Sequence, residues 1–342
     1  MNLRECIVDG YRSLRGVTWT PTPLSYVEGD GALDLYRGLQ LLSRASQGWS
    51  TFADAMQTEG ATEAAFWHPE AIEARWVVRM APHEDAEMDF SYELIAERLE
   101  AMPWWVIGYE RADLVTDFEH TPLLERIGDR VEYFPPRKKV PGTPVTVPAK
   151  SEVQRIAGDM AALGTHLTFR KDGRVEAHAV AMGAWSFHQG VWPALRNARF
   201  PFGFSGILYE DGSNLGNLLV NVFDIAETRR RFEGAFRAVM PGFDTLRFPE
   251  ASDGEFAVRV ATRDGVERPM EALTEPTLRA LAVFGMLLSP EPPTFLWLHD
   301  AARGLDPWAV PVLGGLVVEA SKRFQVVLSA PGEALARAVD AA

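Results

Sequence analysis

The alternation of apolar helices and strands near the C-terminus constrains the fold more than any other feature of the sequence. Two short apolar runs, 295–298 and 324–328, lie between helical patterns at 276–288, 308–323 and 333–339. Short apolar runs joined by helices are typical of strands that are buried on both faces and pair in parallel. The sequence therefore predicts the α/β fold class, with a parallel sheet at the core.

The remainder of the chain predicts a β-rich start followed by a mixed middle. Predicted strands lie at 5–11, 16–20, 24–28, 74–80, 88–95, 104–109, 130–134, 244–248 and 255–261, with a hairpin at 165–180. Predicted helices begin after the glycine turn at 29–31, where Leu35, Leu39 and Leu42 share a face, and recur at 51–66, 151–163, 215–223 and 226–239. A segment rich in Pro, Lys and Val at about 135–150 has the composition of a linker.

Composition excludes several classes of protein. The single cysteine, Cys6, rules out a disulfide framework and a cysteine-based zinc site. The N-terminus has no basic region leading into an apolar run, and no apolar stretch approaches the ~20 residues of a membrane span. We therefore expect a cytoplasmic protein with no membrane contact.

The negative charge is concentrated in one segment. Residues 51–130 hold 18 acidic and 6 basic residues, a net of −12, while the whole chain has a net of −13. Duplex DNA attracts proteins largely through lysine and arginine. The isolated chain is therefore predicted not to bind duplex DNA directly.

Several segments, in their order and spacing, resemble the RecF/SMC-like branch of the ABC ATPases, the AAA family ATPases of the RecF/OLD kind. The similar segments are IVDGYRSLRGVTW, TPLSYVEG, LYRGLQLLSRASQG, LYEDGSNLGNLL, LTEPTLRALAVFGMLLSPEPPTFLWLHDAARGLDP and QVVLSAPGEAL. The resemblance implies one ABC-type, P-loop NTPase-like head over 1–342, with a β-rich N-terminal lobe and an inserted α/β region. It would contain an acidic β-rich lobe at about 51–134, the linker at about 135–150 and a C-terminal α/β lobe at about 240–342.

The phosphate loop of this family is degenerate here. Such a loop needs GxxxxGK[ST], in which backbone N–H groups wrap the phosphates, lysine reaches the outer ones and a hydroxyl holds magnesium. The segment 29–34 in its place has neither lysine nor hydroxyl, and the first lysine of the chain is Lys138.

Acidic residues surround the same turn. The degenerate positions are Gly29, Asp30, Gly31 and Asp34, and Glu28 precedes them. Carboxylates at a helix N-terminus occupy the position that would attract a phosphate, and an aspartate there can cap the helix. Both readings, repulsion of nucleotide and helix capping, predict that no phosphorylated ligand binds.

The second nucleotide motif is altered as well. His299 and Asp300 stand where the family has an aspartate that holds magnesium and a glutamate that orients water. Neutral imidazole is a poor magnesium ligand, so His299 is interpreted as a hydrogen-bonded structural residue. Pro331 falls near the position of the switch histidine.

The signature motif retains structure without its chemistry. Thr274, Glu275 and Pro276 replace the signature residues; Pro276 lacks a backbone donor but can start a helix. By contrast, the loop containing Asp306 is retained, and Asp306 is predicted to cap the helix after it.

Four altered motifs in a preserved frame predict a catalytically inactive pseudo-ATPase that acts as an interaction or scaffold subunit. The resemblance implies a DNA-repair or antiphage-defence complex, with an active ATPase relative or a nuclease as protein partner. No catalytic residue, cofactor or metal is expected. Two alternatives remain open: an ATPase with a rebuilt or trans-completed nucleotide site, and a module that binds a small ligand in the former nucleotide cleft. A serine hydrolase at 203–206 is disfavoured because the segment misses the GxSxG elbow.

Overall fold

The computed structural model describes residues 1–47, 52–58, 72–82, 87–98, 105–116, 119–136, 138–139, 146–147, 150–157, 160–164, 173–190, 192–252 and 254–342. The chain forms two compact units. The first contains Met1–Thr22 and Glu28–Trp185, and the second contains Pro23–Val27 and Ser186–Ala342.

The first unit is built on an eight-stranded sheet in which every neighbouring pair is antiparallel. Its strands are β1 (Asn2–Asp9), β2 (Val17–Trp19), β4 (Glu73–Ala81), β5 (Asp89–Arg98), β6 (Trp105–Val115), β7 (His120–Ile127), β8 (Arg130–Tyr133) and β11 (Glu152–Arg155). Their order across the sheet is β11-β8-β7-β6-β5-β4-β1-β2. A separate two-stranded ribbon pairs β9 (Lys138–Lys139) with β10 (Thr146–Val147).

In the part of this unit that the structure describes, three helices accompany the sheet: α1 (Ala32–Ser46), α2 (Phe52–Thr58) and α3 (Gly173–Gly183). Buried and partly exposed residues alternate along β4 and β5, as expected for strands with one face in a core. Trp76 of β4 is central to that core, with its ring 5.3 Å from Tyr11 and 6.2 Å from Phe52. Gly38 of α1 lies against Trp76, where a Cβ would come within 3.1 Å of the indole nitrogen. The small residue thus lets α1 approach the sheet.

The second unit is built on a four-stranded parallel sheet in the order β12-β19-β20-β3. Its strands are β12 (Ser186–His188), β19 (Phe295–His299), β20 (Gln325–Ser329) and β3 (Leu24–Val27). The helices of this unit are α4 (Leu215–Asp224), α5 (Ala226–Phe236), α6 (Glu275–Leu288), α7 (Val310–Ser321) and α8 (Gly332–Asp340), with a one-turn 3-10 helix at Met270–Ala272. The predicted parallel pairing of the runs at 295–298 and 324–328 is confirmed, and the predicted strand at 24–28 joins the same sheet.

Two small antiparallel sheets complete the second unit. Their strands are β13 (Phe200–Pro201), β14 (Phe243–Arg247), β15 (Glu250–Ser252), β16 (Glu255–Phe256), β17 (Arg259–Thr262) and β18 (Glu267–Pro269). One sheet has the order β13-β16-β15 and the other β14-β17-β18.

A buried ion pair explains one wrong prediction in the first unit. Glu110 and Arg126 are both fully buried, and their charged atoms lie 3.7 Å apart. Glu110 accepts hydrogen bonds from the backbone N–H groups of Ala162 (2.6 Å) and Leu163 (2.7 Å). Arg126 donates to carbonyl oxygens of the same segment, including that of Ala157 at 3.0 Å. The backbone groups that a helix at 151–163 would use are thus engaged by the sheet, and the segment begins with strand β11 instead.

The predicted hairpin at 165–180 is also wrong where the structure describes it. Residues 173–180 lie in α3, while 165–172 lie outside the described residues. His178 of this helix stacks on Phe90 of β5, with ring centroids 3.9 Å apart. Burial of the helix against the sheet therefore decides the structure of this segment. Of the predicted helix at 51–66, the described part is α2, and the remainder lies outside the described residues.

Candidate functional site

The loop that would bind phosphate in an ABC-type head leaves strand β3 and leads into α1. Gly29 has a φ of 93°, and the carbonyl of Gly29 accepts from the N–H of Ala32 at 3.1 Å. Helix α1 begins at Ala32 with Gly31 as the N-cap residue and no side-chain cap. Of the two readings of this segment, the one in which an aspartate caps the helix is therefore wrong, because the N-cap residue is a glycine without a side chain.

Asp34 instead binds a second turn of the first unit. Its Oδ2 accepts from the backbone N–H of Ser13 at 3.2 Å and from the Ser13 hydroxyl at 2.6 Å. The Arg12 Nε lies 4.0 Å from Oδ1, and the two side chains are only 12% and 18% exposed. Three donors that would suit an anion, an N–H, a hydroxyl and a guanidinium, thus converge on a carboxylate of the same chain.

Residues 11–14 form a tight turn that places Arg12 and Ser13 beside Asp34. Arg12 has a φ of 50°, which is uncommon for a residue other than glycine, and its Nε also donates to the Tyr11 hydroxyl at 3.2 Å. The N–H of Leu14 closes the turn by donating to the carbonyl of Tyr11 at 2.9 Å. A Cβ at Gly31 would lie 3.3 Å from the side chain of Leu14, so the turn packs against the beginning of α1.

The residues predicted to form the second nucleotide motif lie at the carboxyl end of the parallel sheet in the second unit. His299 ends β19 and pairs in register with Ser329, which ends β20. The Nδ1 of His299 and the hydroxyl of Ser329 are 3.0 Å apart, and the same hydroxyl accepts from the indole N–H of Trp297 at 2.7 Å. One imidazole nitrogen of His299 therefore already contacts a hydroxyl group of the neighbouring strand.

Asp300, the next residue, is held in an unusual conformation. Its φ is 52°, and its backbone N–H donates to the carbonyl of Ser329 at 2.9 Å. Its carboxylate lies 3.9 Å from the guanidinium of Arg303, three residues along the chain. Within the second unit, the side chain at the glutamate position of the motif is thus paired with a neighbouring cation.

A buried serine–histidine pair lies on the neighbouring strand β12. The Ser186 hydroxyl is 2.8 Å from Nε2 of His188, whose Nδ1 accepts from the indole N–H of Trp192 at 2.9 Å. Because Nδ1 is an acceptor, the proton of the neutral imidazole is on Nε2, which donates to Ser186. Burial lowers the pKa of His188 to about 3. His188 is therefore oriented to donate to the serine and cannot take its proton as a general base.

The residues predicted to form a degenerate signature motif begin an ordinary helix. Thr274 is the N-cap of α6, and its hydroxyl accepts from the N–H of Thr277 at 3.4 Å, while Pro276 occupies the first turn. Glu275 accepts from Arg279, one turn along the helix, at 3.2 Å. Arg196 binds the same segment from outside and lies 3.8 Å from Glu275. These contacts are those of a structural element, with the acidic side chain paired at the surface.

The retained loop keeps its turn but not the predicted cap. Helix α7 has Ala309 as its N-cap, with no side-chain cap, and the exposed Asp306 contributes only a backbone carbonyl, which accepts from Ala309 at 2.9 Å. The prediction that the Asp306 side chain caps this helix is wrong, because the helix begins at Val310, four residues later. Gly304, with a φ of 77°, packs against Pro276.

The described residues contain neither a metal-binding cluster nor a membrane-spanning helix. No group of three or more His, Cys, Asp or Glu side chains in the described part of the chain could hold a metal ion. No helix among these residues is long and apolar enough to cross a membrane.

Comparison with known proteins identifies the fold. No family model matches the sequence, and no curated protein matches it. A solved SMC head bound to the C-terminal winged-helix domain of ScpA matches 99% of this chain and 92% of its own, with a TM-score of 0.54 and 11% identity. The chain has the fold of an SMC head domain. This confirms the α/β, ABC-type fold predicted from the sequence.

Two further solved SMC heads match over similar lengths. The head from Thermotoga maritima covers 99% of this chain and 92% of its own, with a TM-score of 0.45 and 12% identity. A head with an extended coiled coil, bound to the C-terminal domain of ScpA from Pyrococcus furiosus, covers 98% and 91%, with a TM-score of 0.49 and 10% identity. The assignment of the SMC-type head fold rests on the first comparison.

Sequence reasoning missed the residues that engage Asp34. Arg12 and Ser13 lie about twenty residues before Asp34, in the YRSL segment. In the sequence, this segment was noted only because it resembles the turn after the first strand in the RecF/SMC-like family. It also missed His188 and Ser186, because a two-residue spacing on a short strand carries no functional signal by itself.

Proposed function

We propose that this protein is a pseudo-ATPase with an SMC-type head fold that acts as an interaction or scaffold subunit. The observation that carries the proposal is the contact of Asp34 with Ser13 and Arg12. Its carboxylate is a fixed internal anion at the start of α1, where the helix dipole favours negative charge. A nucleotide phosphate could bind at this place only by displacing the Asp34 carboxylate, which belongs to the same chain.

Other acidic residues between β3 and α1 also oppose nucleotide binding. Glu28 and Asp30 are exposed residues beside the same helix start. Two further carboxylates within the loop make the approach of a triphosphate electrostatically unfavourable. No lysine precedes Lys138 in the sequence, so nothing in the loop compensates this charge as the phosphate-loop lysine does.

The second motif supports the same proposal independently. An imidazole at the end of β19 replaces the hard oxygen ligand that magnesium prefers, and one nitrogen of His299 already contacts Ser329. The carboxylate of Asp300 is paired with Arg303. Magnesium binding and orientation of an attacking water are therefore both weakened in the second unit.

A protein partner fits a head that has lost its nucleotide chemistry. The SMC head with the similar fold was solved with a domain of ScpA bound to it. For the present chain we propose a protein partner of its own, an active ATPase relative or a nuclease, in a DNA-repair or antiphage-defence complex.

Isothermal titration with Mg-ATP tests the loss of nucleotide binding. We expect no saturable heat at millimolar nucleotide, with an intact ABC-type head titrated in parallel as the positive control. Light scattering should give one mass with and without ATP, because nucleotide-dependent pairing requires bound nucleotide. A dissociation constant in the micromolar range, about −8 kcal/mol, would overturn the proposal.

A further inference from the structure

A loop of the second unit displays three large aromatic side chains. Between β13 and α4, Phe202, Phe204 and Tyr209 are 59%, 66% and 60% exposed. Their neighbours Phe200 and Leu208 are buried in the core. Exposed aromatic residues in one short segment are a mark of interaction surfaces, because a folded protein gains nothing by holding them in water. We call residues 200–212 the aromatic loop.

The first half of the aromatic loop is fixed by a side chain of α4. The amide of Asn217 donates to the carbonyls of Pro201 (2.8 Å) and Gly203 (2.9 Å). The N–H of Phe202 donates to the carbonyl of Gly254 at 3.0 Å, and its ring lies 5.8 Å from that of Phe256. Hydrogen bonds therefore hold the backbone at Phe202 and on both sides of it, while the Phe202 side chain is exposed.

The second half is fixed by another asparagine. The buried Asn214 donates to the hydroxyl of Ser205 at 3.0 Å and to the carbonyl of Ile207 at 2.9 Å, and accepts from the N–H of Tyr209 at 2.7 Å. One side chain thus holds three alternate residues of the loop.

The middle of the loop packs closely against the segment after α6. The hydroxyl of Ser289 donates to the carbonyl of Gly206 at 2.7 Å. A Cβ at Gly206 would lie 2.1 Å from the carbonyl oxygen of Glu291, so only glycine fits there. The aromatic side chains are consequently presented by an ordered backbone, and a partner would not have to supply the free energy of ordering it.

Charge around the loop selects the kind of partner. Glu210 and Asp211 follow Tyr209 and are exposed, and Glu291 is exposed beside Gly206. Arg199, the residue that precedes the loop, lies 3.9 Å from Glu255. An apolar surface with an acidic rim is complementary to a segment that carries apolar and basic side chains, and it is unfavourable for nucleic acid or anionic lipid.

We propose that the aromatic loop is the docking site for a protein segment that presents apolar anchors flanked by lysine or arginine. The proposal rests on the function proposed above, in which the head is an interaction subunit. The aromatic side chains supply the contact area, and Glu210 and Asp211 supply orientation and faster association.

Selection from a phage-displayed library of random peptides tests the chemistry of the partner. We expect enriched peptides that combine aromatic or aliphatic residues with lysine or arginine. Their affinity for the Phe202→Ser/Phe204→Ser double variant should be at least about tenfold weaker. Glu210→Gln/Asp211→Asn should weaken binding less and remove most of its salt dependence.

Trp308→Ser is the matched control, since Trp308 is 60% exposed in the same unit but lies outside the loop. It should leave peptide affinity unchanged, and circular dichroism should confirm that all variants fold. Enrichment of no peptide or of acidic peptides, or equal weakening by Trp308→Ser, would overturn the proposal. So would self-association that the double variant abolishes, because the occupant would then be a second copy. The loop variants do not touch Asp34, so ATP binding reports on the pseudo-ATPase proposal separately.

Discussion

Removal of the Asp34 carboxylate should create a vacant anion site. In Asp34→Ala, the Ser13 N–H and hydroxyl lose this acceptor, and Arg12 loses a carboxylate 4.0 Å from its Nε. Hydrogen bonds to a charged group contribute about 1.5–3 kcal/mol when buried, but Ser13 is exposed and water replaces part of this. We assign about 1.5 kcal/mol to the two bonds together and about 0.5 kcal/mol to the acid in the first helical turn.

A loss of about 2 kcal/mol is large enough to measure. For a unit of this size it lowers the Tm by about 4–8 °C. Inorganic phosphate should then restore stability to the variant, because it can bind the three donors that Asp34 has left. With a Kd of about 1 mM, phosphate at about 10 mM restores about 1.4 kcal/mol by mass action. Differential scanning fluorimetry over a phosphate series measures both effects.

Glu333→Ala provides the control. Glu333 is also an acid in the first turn of a helix, but its side chain is exposed and pairs only with Arg337 one turn along. It should cost less than about 0.5 kcal/mol, with no recovery in phosphate. If Asp34→Ala leaves the Tm unchanged, or if phosphate stabilises the wild-type protein equally, Asp34 is not the internal anion inferred here.

Three other outcomes are expected. Burial lowers the pKa of His188 from 6.5 to about 3, so the stability that it contributes is complete above about pH 6.5 and falls as the pH drops towards 3. Chemical denaturation at pH 7 and at pH 5 should show a loss of about 2 kcal/mol that is absent in His188→Gln. Arg126→Met should destabilise the first unit by about 3–5 kcal/mol, because Glu110 is left buried and unpaired, whereas the exposed Arg155→Ala should have little effect in the same thermal melts. Fluorescence anisotropy with a labelled duplex near 0.15 M salt should show no saturable binding, and tight binding would reveal a basic patch that outweighs the net charge.

The parallel sheet was predictable because its strands are buried on both faces. Runs such as 295–298 and 324–328 consist almost wholly of apolar residues, and no surface position interrupts them. Several antiparallel strands of the first unit, such as β4 and β5, were predicted as β-prone runs, whereas β7 was not predicted. The segment after residue 150 was not predictable, since its backbone is organised by Glu110 and Arg126, and these two residues are distant in sequence.

For the candidate site, only the differences from the nucleotide motifs of the similar family could be predicted from the sequence. The absence of a lysine and the acids at 28–34 can be read from one segment of the sequence. The partners of Asp34 cannot, because the turn at Arg12 and Ser13 meets α1 only after the first unit has folded. Local signals allowed an aspartate of 28–34 to cap α1 and predicted a cap at Asp306, and in both cases the helix begins without a side-chain cap.

The position of β3 in the chain restricts how this protein can be divided. This strand pairs with β20 at one edge of the sheet, and the five residues of β20 are all buried. In the sequence, β3 precedes the other strands of its sheet by more than 150 residues. A fragment that starts at Ser186 would expose β20 as an apolar edge, which is a template for aggregation. During synthesis, β3 must likewise wait for the end of the chain to emerge before it can pair. Expression of the C-terminal half alone will therefore need residues 23–27 supplied, for example by circular permutation.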